Sequence, residues 1–117
     1  MVIADDNDAV RELLRLVVEL DDRLRVVGEA ADGREALTVV ADERPDVLLL
    51  DLAMPVLDGL EVLARLQDDD ADVKVVVYSG FAGEDLKAAA IAAGADDYLV
   101  KGVDPTLIVE RLVAVAR

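Results

Sequence analysis

The chain has 117 residues, and 12 basic against 26 acidic side chains give a net charge of −14, which repels a nucleic-acid backbone and excludes direct nucleic-acid binding by this domain. It contains no Cys and no His, which excludes disulfides, thiolate and imidazole metal sites, and Ser–His or Cys–His catalysis. The apolar fraction, 55% and drawn from Val, Leu and Ala rather than from aromatics, suits one packed domain over residues 1–117.

Along the chain, short apolar runs alternate with amphipathic stretches. Val2-Ile3-Ala4 reads as a strand ending on Asp5-Asp6, and Val10, Leu13, Leu14, Val17 and Val18 follow at helical spacing as an inward stripe. Arg25 to Ala30 reads as a second strand. Asp32, with Glu35 three residues on, caps a helix that turns Ala36, Leu37, Val40 and Ala41 inward and stops at Pro45. Val47 to Leu50 is a third strand, running into Asp51. Asp58, with Glu61 three residues on, caps a helix with Leu60, Leu63 and Ala64 inward. The acidic stretch Asp68-Asp69-Asp70-Ala71-Asp72 is a solvated connection to a fourth strand, Val73 to Tyr78. Leu86 to Ala93 is an Ala-rich helix ended by Gly94, and Asp97 to Val100 is a fifth strand. Asp104-Pro105 opens the last helix, with Leu107, Ile108, Leu112 and Val115 inward.

Strands three and four are continuous apolar runs, the pattern of strands covered by helices on both faces. Five such strand–helix units with right-handed crossovers give an α/β domain with a doubly wound parallel sheet. No charge-free run of about 18 apolar residues occurs. The N-terminal MVIADDND has no basic segment, so neither a membrane span nor a signal peptide is expected, and the expected location is the cytoplasm.

Ligands of such sheets bind beyond the carboxyl ends of the strands, where the strand order reverses. Asp5-Asp6, Asp51, Ser79 and Lys101 stand at four of those ends, while the second strand offers only Ala30-Ala31. Three crowded carboxylates repel, each close pair by about 4 kcal/mol at 4 Å and an effective dielectric near 20. Lys101 offsets part of that charge, and a hard divalent cation, Mg²⁺, suits the rest through oxygen ligands. A carboxylate surrounded by metal, Lys and a hydroxyl is placed to accept a phosphoryl group as an acyl phosphate, with Asp51 as nucleophile. Each residue also has a plainer reading: Lys101 as a surface lysine, Ser79 as a turn residue, Asp5-Asp6 as caps of the first helix. Asp51, at the end of four apolar residues, resists that reading most.

The acid pair Asp5-Asp6, D-x-x-M-P-x-x-D-G from Asp51 to Gly59, Ser79-Gly80, and A-G-A-x-x-Y-x-x-K from Ala93 to Lys101 together resemble the receiver domain of bacterial two-component response regulators, over the whole chain. The resemblance implies a flavodoxin-like fold with strand order 2-1-3-4-5 and phosphorylation of Asp51 by a His-phosphorylated sensor kinase. It implies Mg²⁺ held by Asp6, Asp51 and the backbone carbonyl of Ala53, with Asp5 acting through a water. It further implies that Lys101 and Ser79 bind phosphoryl oxygens and that Tyr98 is a switch aromatic turning inward on phosphorylation. RVVGEAADGREAL and KGVDPTLIVERLVAVAR look most like receivers joined to LuxR-type helix-turn-helix output domains, which implies transcription regulation through a domain absent from this chain. Homodimerisation is left open. Two positions depart from the common pattern: Gly102 follows Lys101 where many receivers have Pro, and Ala53 brings no polar side chain near the phosphoryl group.

Three other readings fit less well. An Asp-nucleophile, Mg-dependent phosphohydrolase needs an acid two residues after the nucleophile, where Ala53 stands. A flavodoxin-like cofactor carrier needs a phosphate-cradling loop after the first strand, where Asp5-Asp6-Asn7-Asp8 would repel phosphate. A degenerate receiver would lack some of the five key residues, and all are present.

Overall fold

Residues 1–80 and 83–116 are described by the computed structural model. The elements run β1 (Val2–Ala4), α1 (Asp8–Glu19), β2 (Gly28–Ala30), α2 (Gly33–Glu43), β3 (Val47–Leu50), α3 (Gly59–Asp68), β4 (Lys74–Ser79), α4 (Glu84–Ala92), β5 (Asp97–Val100) and α5 (Pro105–Ala116). All strand pairs are parallel, in the order β2-β1-β3-β4-β5. The chain steps outward from β1 to β2, then reverses to β3 on the other side of β1, so the carboxyl ends of β1 and β3 lie together.

Alternation along the strands divides the core between the two faces of the sheet. Ile3, Leu49, Val76 and Leu99 pack with Leu14 and Val18 of α1 and Ile108, Leu112 and Val113 of α5. Val2, Ala4, Leu48, Leu50, Val75, Val77 and Tyr98 pack on the opposite face, with Ala36 and Val40 of α2, Val62, Leu63 and Leu66 of α3 and Ala90 of α4. The four residues of β3 are each at most 1% exposed, and each such side chain contributes roughly 1.5–3 kcal/mol by burial.

Several expected positions move. Leu13 faces solvent at 61% exposure, alongside exposed Leu16 and Leu20. Residues 10, 13, 14 and 16–18 of α1 cover an apolar arc of about 200° at 100° per residue, and the body of the protein covers only the half nearer Leu14 and Val18. Ala41 and Ala64 are also exposed, because Val40 on α2 and Val62 and Leu66 on α3 fill the inward positions. Arg25 to Val27 precede the strand, although Val27 still donates its N–H to the Met1 carbonyl at 2.8 Å. Gly94 takes φ +112° just past the Ala93 cap of α4, as expected of a left-handed helix stop.

The β3–α3 connection holds one strained residue. Val56 has φ +69°, and Leu57 donates its N–H to the Pro55 carbonyl at 2.8 Å, which together describe a γ-turn of the rare positive-φ form. A β-branched residue is poorly suited to this region, and the Val56 side chain, 72% exposed, has little packing to lose. Val56→Gly is therefore expected to raise stability by about 1 kcal/mol, measured by urea denaturation. Unchanged or lower stability would contradict a strained turn.

Candidate functional site

Ala4 is registered against Leu50, so the next residues, Asp5 and Asp51, emerge side by side, and the Asp51 N–H donates to the Ala4 carbonyl at 2.9 Å. Alternation then sets their direction. Asp5 continues the parity of Ile3, and Asp51 that of Leu49, so both carboxylates start from the α1/α5 face. Lys101 continues the parity of Leu99 on the same face. Its ammonium donates to Asp5 Oδ2 at 2.9 Å and to Asp51 Oδ2 at 3.2 Å. Asp6 is exposed, yet Asp5, Asp6 and Asp51 each bring a carboxylate oxygen within 4.8 Å of the others.

Asp5 and Asp51 are buried, at 1% and 4% exposure. Burial raises the Asp51 carboxyl above its ordinary pKa, and the Asp5 charge raises it further. The Ala53 N–H, donating to Oδ1 at 3.2 Å, and the Lys101 ammonium oppose that rise without cancelling it. Burial by itself would lower the Lys101 pKa, but hydrogen bonds and charges from Asp5 and Asp51 outweigh it and the net shift is upward. One ammonium faces three carboxylates, so the cluster keeps an excess of two negative charges.

The first helix does not use the acid pair as its cap. Asn7 takes that place, accepting from the Val10 N–H at 3.1 Å. Asp5 Oδ1 accepts from the Asn7 N–H at 2.9 Å, and Arg11 donates to the Asp5 backbone carbonyl at 2.6 Å, so the first turn of α1 fixes Asp5. The Asp6 side chain is left at the surface beside the cluster.

The remaining strand candidates lie on the other face of the sheet. Ser79 is fully buried and continues the parity of Val75 and Val77, opposite to that of the carboxylates. Tyr98, 7% exposed, shares its face and already occupies an inward position among the residues packed under α2, α3 and α4. Ala53 is exposed on the loop beyond Asp51, and Gly102 sits at φ +100° with none of the described residues within 4 Å of the position a Cβ would take. A residue that sequence reading passed over is Tyr78, whose ring centroid lies 5.8 Å from the Lys101 ammonium. Its place on that face follows from the register that pairs it with Leu99, two residues before Lys101.

The arrangement therefore brings Asp5, Asp6, Asp51 and Lys101 into one cluster at the strand ends, with Ser79 at the end of the neighbouring strand. Three hard oxygen donors with uncompensated charge suit a small divalent cation that keeps part of its water shell. Among the described residues, no helix is long and apolar enough to cross a membrane.

The profile of the response regulator receiver domain matches residues 1–113. Transcriptional regulatory protein PrrA of Mycobacterium bovis is 40% identical over 121 residues, covering 100% of this chain and 49% of PrrA. The chain spans about half the length of the curated relatives it matches. Among solved structures, the signal receiver domain of the protein designated response regulator NarL from Mycobacterium tuberculosis superposes with a TM-score of 0.95 at 33% identity, covering 98% of this chain and 93% of that one. A LuxR-family DNA-binding response regulator from Staphylococcus aureus superposes with a TM-score of 0.93 at 25% identity, over 99% of this chain and 97% of the other.

Proposed function

Because the chain belongs to the response regulator receiver family, we propose that it is a phosphorylation-controlled switch in which Asp51 takes a phosphoryl group from the phosphohistidine of a sensor kinase. The observation that carries this reading is the buried Asp51 carboxylate at the end of β3, held on one side by Lys101 and crowded on the other by Asp5 and Asp6. In the transfer, an Asp51 carboxylate oxygen attacks phosphorus while the P–N bond to the donor imidazole breaks. The electron pair leaves with the imidazole nitrogen, which takes up a proton, and Asp51 becomes an acyl phosphate.

Asp6, Asp51 and the Ala53 carbonyl would hold Mg²⁺. Both Asp5 oxygens already accept hydrogen bonds, from Asn7 and from Lys101, which supports a contact through water for Asp5. When bound, the cation offsets negative charge on the phosphoryl oxygens. Lys101 offers its ammonium to one phosphoryl oxygen, and the Ser79 hydroxyl serves another. Ser79 and Tyr98 share a face of the sheet, so movement of Ser79 toward the phosphoryl group favours the inward position of Tyr98 and carries the signal toward α4 and β5. Ala53 presents no acid or base, so the domain acts on its own phosphoryl group and turns over no external substrate. Relatives twice this length that are transcription regulators, together with the LuxR-family structural neighbour, support a DNA-binding output domain as the partner in the full protein. The location consistent with this role is the cytoplasm.

Incubation with Mg²⁺ and acetyl phosphate is expected to add one phosphoryl group per chain, read by intact mass, with the label released by hydroxylamine as an acyl phosphate. No mass increase would refute the phosphoacceptor reading. Repeated rapid turnover of a small phosphoester would instead favour the phosphohydrolase.

A further inference from the structure

Lysine is poorly suited to holding one position. Its ammonium is a compact charge on a flexible four-carbon stem, without the planar fork that fixes an arginine. Lys101 is placed here by two carboxylates, and one of them, Asp51, is the group that changes in the proposed reaction. As an acyl phosphate, Asp51 no longer presents a charged carboxylate, so half of the anchoring is lost as the phosphoryl oxygens arrive.

Tyr78 lies on the third side. It is the penultimate residue of β4 and faces the α1/α5 side of the sheet, half-buried and packed against that cluster. Its register partner on β5 is Leu99, two residues before Lys101. The Lys101 ammonium sits 5.8 Å from the ring centroid, within reach of the ring's negative face.

We propose that Tyr78 is a positioning residue whose ring steadies the Lys101 ammonium over the acid cluster while Asp51 passes from carboxylate to acyl phosphate. The proposal rests on the phosphoacceptor reading above. A ring suits this task better than a third carboxylate. Its attraction does not depend on the state of Asp51, and it leaves the N–H donors of the ammonium free for oxygens. It also adds no negative charge to a cluster that already has an excess.

The test compares Tyr78→Leu, which keeps an apolar side chain but no quadrupole, with Tyr78→Phe, which keeps the ring. The maximal rate of labelling by acetyl phosphate with Mg²⁺, and the affinity for beryllofluoride followed by NMR, are each expected to fall about two- to five-fold in Tyr78→Leu. Both should stay close to wild type in Tyr78→Phe. The Lys101 ε-methylene protons should show a ring-current shift in wild type and Tyr78→Phe that is absent from Tyr78→Leu, and this reading does not depend on phosphorylation. Equal rates in all three proteins, or a Tyr78→Phe variant as slow as Tyr78→Leu, would overturn the positioning role while leaving the phosphoacceptor reading intact. A wild type that takes up neither phosphoryl group nor beryllofluoride would overturn both.

Discussion

Asp51→Asn is expected to abolish phosphoryl uptake completely and, without metal, to make the folded domain more stable at pH 7 by on the order of 1 kcal/mol. The first effect follows from chemistry, since an amide oxygen does not form the acyl phosphate. The second follows from charge. Burial and the neighbouring Asp5 raise the Asp51 pKa in the folded protein, so from the ordinary aspartate value near 3.9 up to that raised value the folded state binds more protons than the unfolded one. Stability then falls as pH rises through that window, and the deficit persists at neutral pH. Asn keeps an acceptor for the Ala53 N–H and removes the charge, while Lys101 retains Asp5. Urea denaturation in EDTA should show the variant ahead of wild type at pH 7 and the difference shrinking toward pH 4. Mg²⁺ at ten times its dissociation constant should then stabilise wild type by about 1.4 kcal/mol and the variant by less. Residual labelling of Asp51→Asn would move the acceptor to another residue. A variant less stable than wild type at pH 7 in EDTA would show that the carboxylates do not strain the fold.

The second large effect lies at Gly59, the first residue of α3. A Cβ there would stand 2.6 Å from the Leu52 Cα and 2.7 Å from the Asp51 carbonyl oxygen, both backbone atoms of the loop directly after β3. The Gly59 N–H also donates to the Leu52 carbonyl at 2.9 Å, so the helix start and the strand end are tied together at this point. Gly59→Ala must push them apart. The expected cost is about 3 kcal/mol of stability, in the upper range for overpacking, together with slower labelling of Asp51 because its backbone is displaced. Gly80→Ala, where no atom of the described residues comes within 4 Å of the new methyl, should change stability by less than about 0.5 kcal/mol. A Gly59→Ala protein as stable as wild type would mean that the α3 start can retreat freely.

Much of the site could be read from the chain because strand ends leave a mark in sequence. An apolar run stopping on a charged residue marks the end of a strand, and Asp5, Asp51 and Lys101 do follow β1, β3 and β5 directly and meet there. The cap was harder to place: Asp5, Asp6, Asn7 and Asp8 can all cap a helix, and only the start of α1 at Asp8 selects Asn7. The direction of α1 was also hidden, since an apolar arc twice the usual width gives no internal sign of which half meets the body, and Leu13 was placed inward for that reason. Tyr78 looked like one more core residue of a strand rich in valine, because a contact with a lysine 23 positions later follows from register and not from composition.

The alternation that sends Asp51, Tyr78 and Lys101 to one face and Ser79 and Tyr98 to the other makes this site phase-dependent. Tyr78 and Ser79 are adjacent in β4, so slipping that strand by one residue would exchange the aromatic and the hydroxyl between the two sides. A slip of two residues would restore their sides and shift only their height above the sheet. Insertions and deletions in the connection leading into β4, residues 69 to 73, are therefore tolerable only when the loop absorbs them without passing an odd count into the strand. The exposed Asp69, Asp70 and Asp72 are suited to absorbing them, whereas Ala71 and Val73 pack against the core. For anyone shortening that connection or grafting a new loop there, parity matters more than length.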